Sequence, residues 1–224
     1  MTQLDTEIRQ LKDNLLEMWG LVLKQCYKSE KAIEQFDKDL AREILANEKR
    51  VDAFELKINM DCERILALFN PVANDLRFVL SVLRINAELE RVGDYARTLA
   101  KVVKEVSSSF SDKEIADTNL VVMIGIASNM LQLTYNAFEE ENIDLLRPIF
   151  KQDEELDRLN KKAFSTIATL IKKNPEDAEK LLELLLAIQR IERIGDQAKA
   201  IAEEIVFYLE AKVIRHQKNK DKLI

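Results

Sequence analysis

The chain has 224 residues with only four glycines and three prolines, so helix breakers are scarce and long helices with short loops are expected. Hydrophobic residues make up 47% of it and recur with a regular period, which excludes a disordered chain. A net charge of −6 and a pI near 5.2 exclude a nucleic-acid binder, because phosphate backbones require a basic face.

The first helix is expected over residues 4–36, where Leu11, Leu15, Met18, Val22 and Cys26 recur at spacings of three and four. Asp37-Lys38-Asp39 reads as a break, with Asp39 capping a second helix over 39–69. That helix carries Ile44, Val51, Ile58 and Ile65 at intervals of seven. Asn70-Pro71 reads as a restart, Asn as cap and Pro at the first helical position. The third helix then covers 71–106, with Ile85, Leu89, Val92, Ala96, Leu99 and Val103 forming a bundle seam. The serine-rich run 107–111 is a composition shift that marks a boundary. Ser111 or Asp112 then caps a fourth helix over 112–140. A fifth follows over 144–173 and a sixth over 175–212, the latter opened by Asn174-Pro175 as the third is by Asn70-Pro71.

An internal repeat organises these elements. Glu90-Arg91-Val92-Gly93-Asp94 matches Glu192-Arg193-Ile194-Gly195-Asp196, and Glu48–Asp52 matches Asp153–Asp157. The expected fold is all-α, six helices forming two repeated three-helix antiparallel bundles, with domains at 1–110 and 111–224.

The repeat carries four acid-x-x-x-Asp pairs: Glu48/Asp52, Glu90/Asp94, Asp153/Asp157 and Glu192/Asp196. On a helix such residues lie about 5–6 Å apart on one face, and two like charges there repel. A bound cation with oxygen ligands removes that repulsion, whereas a solvated acidic face is the plain alternative. A helical wheel puts the third- and sixth-helix pairs roughly 140–180° from the seam and the second- and fifth-helix pairs on its flank, so any site is a surface patch. Gly93 and Gly195 each cost roughly 1 kcal/mol inside a helix and leave room for a close approach by a helix, a metal or a partner. Arg91 and Arg193 pair with neighbouring carboxylates or meet an anion.

Other residues narrow the chemistry. The single histidine, His216, lies in a lysine-rich tail over 212–222 that reads as a solvated helix end. Its isolation excludes a Ser-His-Asp triad and the common zinc sites, and it leaves carboxylates as the metal ligands. A di-metal enzyme in a helical core needs Glu-x-x-His motifs that are absent, so no enzyme is expected. Cys26 and Cys62 read as small core residues. No apolar run approaches the ~18–20 residues of a membrane span, and the N-terminal residues do not form a signal peptide, which points to the cytoplasm.

The run Asn70-Pro71-Val72-Ala73-Asn74-Asp75-Leu76-Arg77, with the two Glu-Arg-[Val/Ile]-Gly-Asp motifs, resembles the PhoU family over nearly the whole chain. The resemblance implies a regulator of phosphate uptake and of the phosphate-starvation response, working by contact with the phosphate ABC transporter and a phosphate-responsive sensor kinase. It also implies a homodimer that touches membrane proteins only peripherally. Some members carry multinuclear metal clusters on these motifs, which by motif match would use Glu48, Asp52, Glu90, Asp94, Asp153, Asp157, Glu192 and Asp196 here. Iron or zinc is expected first, magnesium or manganese next, with no organic cofactor. A metal-free helical adaptor is the competing reading.

Overall fold

The computed structural model describes residues 2–214, and among these no β-strand occurs. Helix α1 spans Gln3–Gln35, α2 Lys38–Phe69 and α3 Ala73–Glu105. Helix α4 spans Asp112–Thr118, α5 Leu120–Glu139, α6 Arg147–Lys173 and α7 Ala178–Glu210. Single 3-10 turns at Ile143–Leu146 and Pro175–Asp177 lead into α6 and α7. The histidine and most of the basic tail lie outside the described residues.

The expectation of six helices in two three-helix bundles is not met, because seven α-helices occur among the described residues. The fourth expected helix breaks at Asn119, whose φ of 58° is left-handed. Asn tolerates that conformation better than most residues, so it stops α4 after seven residues, and α5 begins at Leu120. Nor do the halves stand as separate bundles. Helices α3 and α7 run antiparallel against each other, tied by Ser81 Oγ donating to the Glu204 carbonyl at 3.3 Å and by Arg84 pairing with Glu204 at 2.9 Å. An aromatic group of Trp19, Phe78, Tyr135, Phe138 and Tyr208 joins α1, α3, α5 and α7, so one core runs through the molecule.

Local punctuation also differs from expectation. Asp37, not Asp39, caps α2, its carboxylate accepting from the amides of Asp39 and Leu40. Asn70 closes α2 in a left-handed conformation and does not open α3, which begins after Val72. Ser111 does cap α4, in a reciprocal box with Glu114.

The core follows the seams. Val51, Ile58, Leu89, Val92, Leu156, Ile191, Ile194 and Ile201 are all buried. Cys26 and Cys62 are buried free thiols, and burial pushes both up to about 12, so neither supplies a thiolate at neutral pH. Among the described residues one helix, α5, is long and apolar enough to cross a membrane, contrary to the expectation that no such run exists. Its polar residues are nearly all uncharged, and Leu120, Met123, Ala127, Met130 and Leu131 are buried against α1, α6 and α7.

The two mid-helix glycines are buried at matching helix contacts. A Cβ on Gly93 would sit 3.4 Å from Val51 Cγ1, an ordinary contact. A Cβ on Gly195 would fall well inside contact distance of Leu156 Cδ1. Gly93→Ala is therefore expected to keep or raise stability by up to roughly 1 kcal/mol through helix propensity. Gly195→Ala should lie below Gly93→Ala in urea midpoint, and Leu156→Val should recover part of that deficit. Equal midpoints for the two alanine variants would show that the contact at Gly195 does not constrain the helices.

Candidate acidic sites

The helix contacts at Gly93 and Gly195 set the two acid pairs of each half side by side. In the second half, α6 presents Asp153 and Asp157, and α7 presents Glu192 and Asp196. Asp157, Glu192 and Asp196 each turn one carboxylate oxygen to a common point, the three lying within 4.8 Å of one another. All three are half-buried. The fourth member, Asp153, is only 5% exposed, and its carboxylate accepts a charged hydrogen bond from Lys199 Nζ.

The electrostatics follow from this crowding. Burial first, then the neighbouring Asp196, raises Glu192 above the ordinary carboxylate range, with Asp157 adding to the rise. Burial likewise raises Asp153, against the opposing pull of Lys199. Burial works against the Lys199 ammonium, yet its hydrogen bond to Asp153 and the nearby Asp196 and Asp157 carry it upward overall.

The first half is built on the same plan with a different outcome. Glu48 and Asp52 on α2 neighbour Glu90 and Asp94 on α3, and burial followed by Asp94 raises Glu90. Arg97 enters the patch, 2.7 Å from Glu48 and 3.7 Å from Asp94. Among the described residues no three of these four carboxylates converge as the second-half trio does. Arg91 pairs with Glu88 at 2.7 Å, and Arg193 pairs with Asp196 at 3.1 Å.

Arg97 and Lys199 were not singled out by the acid motifs, although a signal exists. Each stands three residues after its motif Asp, at equivalent positions of the repeat. Both glycines, by contrast, are packed beneath helices, and neither opens onto a surface available to a metal or a partner.

The PhoU-domain family model matches residues 15–103 and 120–205. The chain belongs to the PhoU family. A PhoU homolog of Borreliella burgdorferi, named as a phosphate-specific transport system accessory protein, is 33% identical over 209 residues, covering 92% of this chain and 94% of that relative. The PhoU protein of Escherichia coli, with the same description, is 28% identical over 217 residues, covering 96% and 88%. Among solved structures, PhoU from Pseudomonas aeruginosa superposes with a TM-score of 0.86 at 28% identity, covering 94% of this chain and all of that one (100%). The phosphate transport system regulatory protein PhoU from Streptococcus pneumoniae gives 0.85 at 27%, covering 94% and 99%. PhoU membership makes the chain a regulatory protein in phosphate homeostasis and not an enzyme.

The donor set of the second half fits a hard cation. Three half-buried carboxylates offer oxygen alone, which suits magnesium, manganese or iron better than zinc, whose structural sites draw on nitrogen and sulfur. A cation there would be held by Asp157, Glu192 and Asp196 and would offset their mutual repulsion.

Glu192 gives this a pH signature. Its proton is held more tightly in the folded chain than in the unfolded one, so its contribution to stability is present below about 4.5 and is lost as pH rises through the raised folded value. In chelator-treated protein, Glu192→Gln should therefore gain stability over wild type progressively as pH rises above the ordinary glutamate range. Urea unfolding at a series of pH values reads this difference, and a constant difference would mean that Glu192 is not electrostatically strained.

Proposed function

We propose that the chain is a cytoplasmic negative regulator of phosphate uptake and of the phosphate-starvation response. It acts by contact with the phosphate ABC transporter and a phosphate-responsive sensor kinase. The observation that carries this reading is the match of the PhoU domain to both halves of the chain, at 15–103 and 120–205, together with relatives named for phosphate-specific transport over nearly their whole length. The division at residues 110 and 111 belongs to the same proposal: each half contributes one acidic patch to a shared core. A homodimer is part of it as well, and Leu56 and Met60, exposed one turn apart on α2, offer apolar surface for a second copy.

The metal component is narrower than the motifs imply. The second-half trio of Asp157, Glu192 and Asp196 is proposed as the principal cation site, with Asp153 held by Lys199. In the first half Arg97 sits against Glu48 and Asp94, and no three of the carboxylates of Glu48, Asp52, Glu90 and Asp94 converge among the described residues, so that patch binds a cation more weakly. Arg193, beside Asp196 and Glu192, must swing aside for an ion to enter the trio. A metal-free adaptor remains the second reading, because Arg97 and Lys199 between them offset part of the acidic charge without any ion.

Deleting the gene should derepress phosphate-starvation genes during growth on plentiful phosphate and raise phosphate uptake. A transcriptional reporter in the deletion strain measures this, and silence of the reporter with normal uptake would sink the regulator reading. For the metal, chelator-treated protein should gain melting temperature on addition of manganese or iron(II), since a ligand bound only by the folded state stabilises it. Asp157→Asn should reduce that gain strongly and Asp94→Asn only slightly. Equal losses from the two variants would show that the halves bind alike.

A further inference from the structure

We propose that the outer groove between α1 and α2 is a binding site for a small phosphate-type oxyanion, separate from both acidic patches. The two helices run antiparallel in a register fixed by three cross-pairs: Lys28 with Glu43, Lys57 with Asn14 at 3.0 Å, and Arg64 with Glu7 at 2.7 Å. One turn further along each helix from the Lys28–Glu43 pair, that register brings Lys24 opposite Asn47, and the next turn brings Leu21 opposite Arg50. These residues, with Gln25, line a cavity of about 120 Å³.

Its chemistry is opposite in sign to the rest of the chain. In a protein of net charge −6, this groove gathers Lys24, Lys28 and Arg50 against the single carboxylate of Glu43. Glu43 is engaged by Lys28, while Lys24 and Arg50 have no ion-pair partner among the described residues. Gln25 supplies an independent observation. Its side chain is 7% exposed, lines the cavity, and makes no hydrogen bond among the described residues. Its carboxamide is not sealed off from solvent, so its amide can donate to a ligand oxygen in the cavity. Asn47 donates its own amide to the Glu43 carbonyl at 3.0 Å, which holds its side chain in place at the rim.

Size and charge narrow the ligand. Pockets for drug-sized molecules run to about 300–1,000 Å³, so a cavity this small does not enclose a nucleotide. A phosphoryl group carries about −1.5 to −2 charges near neutral pH and three strong acceptor oxygens. That matches two unpaired cations and one unpaired amide donor. Free phosphate and the phosphoryl end of a small metabolite share this chemistry.

The test is titration calorimetry of the full chain, pre-treated with chelator, with inorganic phosphate, pyrophosphate and a sugar monophosphate as probes. Saturable binding of at least one probe at one per chain is expected, weakening as potassium chloride is raised because the cations are exposed. The probe that binds tightest distinguishes free phosphate from a phosphorylated metabolite. Lys24→Met combined with Arg50→Met should weaken binding by roughly tenfold or more, equivalent to about 1.4 kcal/mol. Gln25→Glu, which puts a carboxylate into the groove, should abolish it, and Glu192→Gln should leave it unchanged. Circular dichroism confirms that each variant stays folded, and both exposed cations can be changed without touching the core. No saturable heat with any probe, or wild-type affinity in the double variant, overturns the proposal. So does equal binding of chloride at matched ionic strength. The regulator reading is measured separately by the reporter strain and stands or falls on its own.

Discussion

The acidic patches depend on how closely two pairs of helices approach. Gly195 lets α7 settle onto Leu156 of α6 where a Cβ would collide, whereas Gly93 meets Val51 of α2 at a distance that a Cβ would tolerate. A glycine inside a helix sacrifices roughly 1 kcal/mol of propensity relative to Ala, and at Gly195 the closer packing offsets that loss. Each glycine stands directly before its motif Asp, so the same contact that packs the helices also draws the acid pairs of neighbouring helices together. Moving the helices apart would relieve the electrostatic strain but empty the core beneath it. Packing therefore holds in place an arrangement of like charges that electrostatics alone would disperse.

How each half manages that charge is where they diverge. Arg97 reaches two carboxylates of its patch, Glu48 and Asp94, and separates the group. Lys199, at the equivalent place, engages Asp153, while Asp157, Glu192 and Asp196 face one another with Arg193 beside Asp196 and Glu192. An arginine offers a broad fork of donors and a lysine a compact point charge, so Arg97 bridges two acids where Lys199 holds one. The repeat thus preserves the geometry of the backbone while the two patches acquire different chemistry.

Much of this was legible in the sequence. The period of the apolar residues located the first three helices and their buried faces, because a helix in a packed core must turn that face inward whatever its neighbours are. The duplicated motifs drew attention to Gly93 and Gly195, which lie against Val51 of α2 and Leu156 of α6. What the period could not reveal was conformation set by a single residue. Asn119 and Asn70 are left-handed helix ends, and an asparagine in a sequence reads equally well as an opening cap or a closing one. Nor could it reveal that the halves merge, since the α3–α7 contact joins residues as far apart as Ser81 and Glu204, and no local pattern encodes their meeting. Lys199 and Arg97 were visible as letters, but a cation near acids becomes a counter-ion only once the neighbouring helix is in place.

The pairing of α3 with α7 has a consequence for how the chain is made. Ser81 waits for a partner 123 residues further along, and the aromatic group around Trp19 waits for Tyr208. During synthesis α1, α2 and α3 can associate early, but the side of α3 that will meet α7 stays bare until the later helices have emerged. Long-range contacts of this kind are slow to form, because the intervening chain must be ordered before they return any energy. For that interval the apolar α5 is also without its main cover, which is α7. Until α7 emerges, the apolar α5 and the side of α3 that meets α7 therefore share one missing partner, and a single late helix covers both.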